Sequence, residues 1–142
     1  MAFIRCESGG GGSVVAVTTL WTNPSPANDF ASQDVTLNDS VQNFDLIEIR
    51  YKSTKTAGNV NGVVYHVEDL LKFGATTVTS DPEKTYYGGI CARASSSYWC
   101  CRAITYVDDT TLNFHGVVRS GGAETVNNII IPLSIVGIKY SN

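Results

Sequence analysis

Four cysteines, two histidines and a scatter of carboxylates are the side chains of this sequence that could ligate a metal or react. Cys100 and Cys101 are adjacent, whereas structural zinc sites pair ligands a few residues apart on turns, and neighbours on a strand point to opposite faces. Cys6 and Cys91 stand too far away to complete a spacing motif. The four thiols are expected to be small buried hydrophobes. The alternative is a late cross-strand disulfide: if Ser95 to Ser97 is a hairpin turn, Cys91 and Cys101 come close across the strands. His66 and His115 each fall in a probable strand with no second histidine or cysteine at ligand spacing. Asp39, Asp45, Asp81, Asp108 and Asp109 fall in turn-like segments, where aspartate bonds its own backbone. Asp108-Asp109 is the one place where an isolated cation is conceivable. A carboxylate pair for glycoside hydrolysis would have to be assembled from distant strands, and no spacing singles one out. Gly9 to Gly12 lacks the lysine and the following Ser/Thr of a phosphate loop. No catalytic residue, cofactor or metal is therefore assigned, and the chain is read as a non-enzyme.

The aromatic pairs carry more information. Tyr86-Tyr87 and Tyr98-Trp99 flank the expected serine hairpin, and one member of each pair must leave the core, since alternate residues of a strand face opposite ways. A Tyr or Trp exposed near a turn offers a flat apolar face with a polar handle, the usual material of carbohydrate or protein contact. These four are the candidate ligand or interface residues; cross-strand packing is the competing use.

The elements that would position them are strands. Tyr98 to Val107, Thr111 to Val118 and Asn128 to Tyr140 are rich in Val, Ile, Thr and Tyr, which suit a pleated half-buried surface and crowd a helix. Val14 to Trp21 is similar and ends at Asn23-Pro24-Ser25-Pro26. Gln33 to Leu37 is a short strand. In the next run Ile47, Ile49 and Tyr51 share one face, and Glu48, Arg50 and Lys52 the other, which predicts a sheet with one side in a core and one in water. Val63 to Val67 is a further strand, extended by a bulged Glu68 to Gly74, with one helical turn as the alternative. Thr76 to Thr79 and Thr85 to Ala94 complete the set. Pro132 places the last strand at a sheet edge or at a bulge. Roughly ten strands with dense turn signals predict an all-β fold, a single antiparallel β-sandwich that is jelly-roll-like, with a closed barrel as rival.

The chain of 142 residues suits one domain, spanning 14–142. Its 43% hydrophobic and 16% charged residues are too apolar for disorder and low in charge for a solitary monomer, so an assembly is expected. A net charge of -3 leaves no electrostatic footprint for nucleic acid. No secretion signal is read after Arg5, and the longest apolar stretch, Ile129 to Val136, is far short of the ~20 residues of a membrane helix, so neither nucleic acid nor membrane is an expected partner. Residues 1–13 form a flexible arm. Its glycine run Gly9 to Gly12 is a tether that a packed element avoids, while Phe3 and Ile4 are apolar anchors for docking elsewhere.

Leu20-Trp21-Thr22-Asn23-Pro24, Phe30 to Leu37, Phe44 to Lys52 and the closing Ile131 to Lys139 together resemble a group of small phage and prophage virion proteins, mostly from bacteriophages of Gram-positive gut bacteria. Members begin with a brief apolar segment and a glycine run, as Ile4 to Gly12 does here, and continue with one β-domain. The resemblance covers nearly the whole chain and carries no catalytic residues. It implies a virion structural protein made in the bacterial cytoplasm, in a tail fibre, tail tip or head fibre. The expected partners are further copies of itself in a homo-oligomer, with a trimer favoured, other virion proteins reached through the arm, and a host-surface glycan or protein. A carbohydrate-binding module without catalysis is the alternative, and a cell-wall polysaccharide hydrolase the weaker one.

Overall fold

A computed structural model describes residues 12–73, 88–95, 98–119 and 125–141. Two antiparallel sheets pack face to face. The first has the order β1(Val14–Thr22), β9(Ile129–Tyr140), β3(Leu46–Thr54), β4(Asn61–His66). The second runs β2(Gln33–Thr36), β7(Thr111–Arg119), β6(Tyr98–Asp108), β5(Gly89–Ser95), with β8(Thr125–Val126) also paired to β7. The chain is thus an all-β sandwich, as expected, and β1, β2 and β3 alternate between the sheets in jelly-roll manner. β3–β4 and β5–β6–β7 are hairpin-linked within a sheet. β1 opens at Val14, and Ser13, assigned to the arm, exchanges hydrogen bonds with Ser141. Residues 1–11 of the arm and the strand expected at Thr76 to Thr79 lie outside the described residues.

The strand patterns act as read. Ile47 and Ile49 are fully buried, while Glu48 and Arg50 on the other face of β3 form an ion pair at 2.6 Å. One expectation needs correction, and one open choice is decided. Glu68 does not continue a strand: Val67–Leu70 is a single helical turn, α1, because Val67 and Leu70, three residues apart, both drop into the core. The final strand is not an edge, since β9 lies between β1 and β3, and Pro132 is accommodated by the bulge instead. There the register steps from Ser134 to Pro132 opposite consecutive β3 residues, and buried Asn23 closes the gap. Its side chain donates to the Pro132 carbonyl at 2.8 Å, and its backbone N–H donates to that of Leu133 at 2.8 Å.

Between the sheets, Trp21, Phe30 and Phe114 form an aromatic cluster with ring centroids 5.9–6.5 Å apart. Arg102 projects into this core from β6 and is fully buried. Its Nε donates to the Ile130 carbonyl (2.9 Å), Nη1 to that of His115 (2.7 Å) and Nη2 to that of Ile129 (3.1 Å), while the guanidinium lies 5.2 Å from the Phe30 ring centroid. Each of these carbonyls belongs to irregular backbone. β7 steps three residues, Phe114 to Val117, where β6 steps two, so His115 sits in a bulge. Ile130 has a φ of 51°, a rare and strained conformation for a β-branched residue, at the point where the chain crosses from β8 in one sheet to β9 in the other. One planar cation thus satisfies acceptors that the ladders cannot reach. Burial pulls its pKa down to about 10, which leaves it charged at neutral pH.

Candidate functional site

Arg102 fixes which way β6 faces. Cys100, Arg102 and Ile104 point inward, so Trp99, Cys101 and Ala103 line the outer face of the second sheet. Trp99 is 52% exposed, an unusual position for the bulkiest side chain of the β6 hairpin. It therefore is the member of its pair that leaves the core. Opposite it in register stands Arg93, and two residues further from the turn Cys91 stands opposite Cys101. The turn itself joins Ser95 to its partner Tyr98, which places the hairpin at the serines as expected. Tyr98 thus lies at the tip of the hairpin, next to Trp99 on β6. Tyr86, Tyr87, Phe3 and Ile4 lie outside the described residues.

Cys91 and Cys101 form a disulfide, with Cα atoms 4.1 Å apart. Of the two readings of the cysteines, the cross-strand bridge applies to this pair and the buried hydrophobe to Cys100, which is free and fully buried, its thiol pKa pushed up by desolvation. The different fates of Cys100 and Cys101 follow from alternation: on adjacent positions, Cys100 faces the core between the sheets and Cys101, also buried, faces the opposite side of β6 toward Cys91.

The floor beneath this face is tied at the open side of the sandwich. Tyr65 of β4 donates its hydroxyl to the Gly89 carbonyl of β5 at 2.6 Å and packs edge-on to Phe73 at 5.0 Å. Burial raises its pKa to about 12, so it stays a neutral donor. At the far end of β6, Tyr106 donates to Asp109, and that bond holds its pKa near 12. Asp108 accepts from the Thr110 backbone at 3.0 Å, which pulls its carboxyl pKa down. Both carboxylates of the β6–β7 turn are thus engaged in the turn itself. His115, on the bulge, shares a 2.8 Å hydrogen bond with Thr105, and desolvation lowers its pKa. His66 precedes α1 without capping it.

Two grooves lie elsewhere among the described residues. One, of about 340 Å³, is lined by Trp21, Asn23, Asp29, Phe30, Gln33 and Asp34 among others. Its polar groups already have partners within the fold: Asp29 with Lys55 at 2.8 Å, Asp34 with Asn113 at 2.7 Å, Gln33 with the Ala31 carbonyl at 3.0 Å. The second, of about 360 Å³, lies beside α1 between Asp45, His66 and Glu68. Asp45 there accepts from the Tyr140 backbone at 2.7 Å. Among the described residues no three His, Cys, Asp or Glu side chains come together as a metal site, and no helix is long and apolar enough to cross a membrane.

Sequence reasoning expected an exposed aromatic at Tyr98-Trp99, and Trp99 is exposed, but it missed Arg102, whose only signal was a charged residue at the inward parity of an otherwise apolar strand. No model of a known protein family matches the chain, nor does any curated protein.

Proposed function

We propose that this chain is a bacteriophage virion structural protein, a component of a tail fibre, tail tip or head fibre, that presents the β5–β6 hairpin end of its sandwich to the host-cell surface or to a neighbouring subunit. The observation that carries the reading is Trp99, held half-exposed on a strand whose opposite face is anchored by Arg102 and whose outer face is bridged by Cys91–Cys101. A rigid, exposed aromatic on a braced hairpin is built for contact, because little side-chain entropy is lost when it is covered. The resemblance of Leu20 to Pro24, Phe44 to Lys52 and Ile131 to Lys139 to small phage proteins supplies the virion setting, and no catalysis is assigned.

Assembly into a homo-oligomer, a trimer by preference, is supported by the edge strand β1, where Val14, Val15 and Val17 are all exposed. An apolar, unpaired sheet edge invites another chain, and edges that stay bare in solution normally carry charge or proline. Phe3 and Ile4 on the arm are assigned to docking on a virion partner, and truncation of residues 1–12 is expected to spare folding and abolish incorporation. The carbohydrate-binding alternative would use the groove at Trp21, where Asp29, Gln33 and Asp34 already hold partners within the fold, so it ranks second.

The test is Trp99→Ala in the full chain. The proposal expects weaker host adsorption or dissociation of the oligomer, with the melting temperature within a few degrees of the parent. A variant that keeps oligomeric state and adsorption but loses stability would make Trp99 a packing residue and contradict the assignment.

A further inference from the structure

We propose that the Cys91–Cys101 bridge is an exchangeable lock on the hairpin that carries Trp99, opened by an external small-molecule thiol that attacks Cys91 and re-closed by Cys101.

Access decides which sulfur is attacked. Cys91 is exposed whereas Cys101 is 7% exposed, so a nucleophile reaches the bridge from the Cys91 side. In the first step a thiolate forms a bond to Cys91 Sγ, the Cys91–Cys101 bond breaks, and the electron pair leaves on Cys101, which takes a proton from water. A second thiolate attacks the outer sulfur of this mixed disulfide. It releases Cys91 as a thiol and yields the oxidised disulfide of the reagent, two electrons having passed to the protein. The reverse sequence, with that disulfide as oxidant, closes the lock. Register favours closure, because the β5–β6 ladder sets Cys101 directly opposite Cys91. Cys100 does not compete, since it lies fully buried on the opposite face of β6.

The lock sits where it has leverage. Among the described residues β5 stands at the end of its sheet with β6 as its one strand neighbour, and the bridge lies two residues along β6 from Trp99. Closed, it holds the hairpin to the sheet; open, β5 is retained by backbone bonds and by Tyr65 at Gly89. The timing rests on the virion reading: a chain made in a reducing cytoplasm carries the lock open, and release into an oxidising medium shuts it. The exchange chemistry itself is independent of that reading.

The experiment uses the full, oxidised chain in mixtures of reduced and oxidised glutathione without denaturant, followed by acid quenching, alkylation and peptide mass mapping. The expected result is a glutathione adduct on Cys91 with Cys101 alkylated and Cys100 protected, and at least a tenfold rise in amide hydrogen exchange in residues 89–95 on full reduction, with β9 unchanged. The Cys101→Ser variant is expected to trap the adduct on Cys91. Failure of the bridge to form under air oxidation, an adduct on Cys101 instead, or exchange that begins only where denaturant unfolds the whole chain would each overturn the proposal. If Cys101→Ser does not fold, the mapping of the parent chain decides alone. Because no particle or host cell enters this assay, its failure leaves the virion reading untouched, and absence of the chain from particles leaves the lock untouched.

Discussion

Arg102 joins the two sheets through three carbonyls that no strand could satisfy, and its removal should be felt across the molecule. Arg102→Met keeps the apolar volume but leaves those acceptors buried and unpaired, so a loss of about 3–5 kcal/mol is expected in chemical denaturation, a large part of a marginal stability. Arg102→Lys should recover less than half, because one compact ammonium cannot reach three carbonyls that Nε, Nη1 and Nη2 engage separately. A Met variant as stable as the parent would show that relaxed backbone or water replaces the guanidinium. His115 gives the pH dependence of the same bulge. Its folded pKa lies below the ordinary 6.5, so the unfolded chain takes up a proton first as pH falls. Its contribution is complete above that value and is lost progressively below it. Denaturation midpoints at pH 7.5 and 5 should separate less in His115→Gln than in the parent; an equal separation would place the dependence on other groups. Neither residue was legible in the sequence as a structural centre. Arg102 has an ordinary surface residue's identity, and only the bulge and the positive φ of Ile130, which are properties of the assembled backbone, call a cation inside.

At the scale of elements, the hairpins were legible and the crossovers were not. The Ser95–Tyr98 turn and the alternation of Ile47 and Ile49 against Glu48 and Arg50 follow from local chemistry, in which residue type and period state the answer. Pro132 was legible as a choice between edge and bulge, and only the pairing of β9 on both sides decides for the bulge. The segment after His66 misled because five or six residues cannot distinguish a strand from one turn of helix; burial of Val67 and Leu70 together settles it. Gly137 marks a close approach within β9: a Cβ there would stand 2.6 Å from the Phe44 ring. Gly137→Ala should therefore cost about 1–3 kcal/mol through overpacking. In a Phe44→Ala background the same substitution should cost far less, and a double-mutant cycle with no coupling would mean that the ring moves aside without penalty.

For the whole molecule, the proposed assembly rests on the low charge and on the exposed Val14, Val15 and Val17 of the β1 edge. Under the proposed function the sandwich divides its surfaces: β1 would meet neighbouring copies and the β5–β6 hairpin with Trp99 would make the contact, while the core tied by Arg102 joins the two sheets. The Val, Ile, Thr and Tyr runs with their turn signals announced the all-β class, whereas the order of strands in each sheet came only with the pairing. The most direct measurement of the central claim is quantitative mass spectrometry of purified phage particles from a lysate in which the chain is expressed from its own genome. The account predicts the chain in intact particles at a constant copy number per particle, in a multiple of three. Its confinement to the soluble lysate, with none retained on particles, would contradict the account.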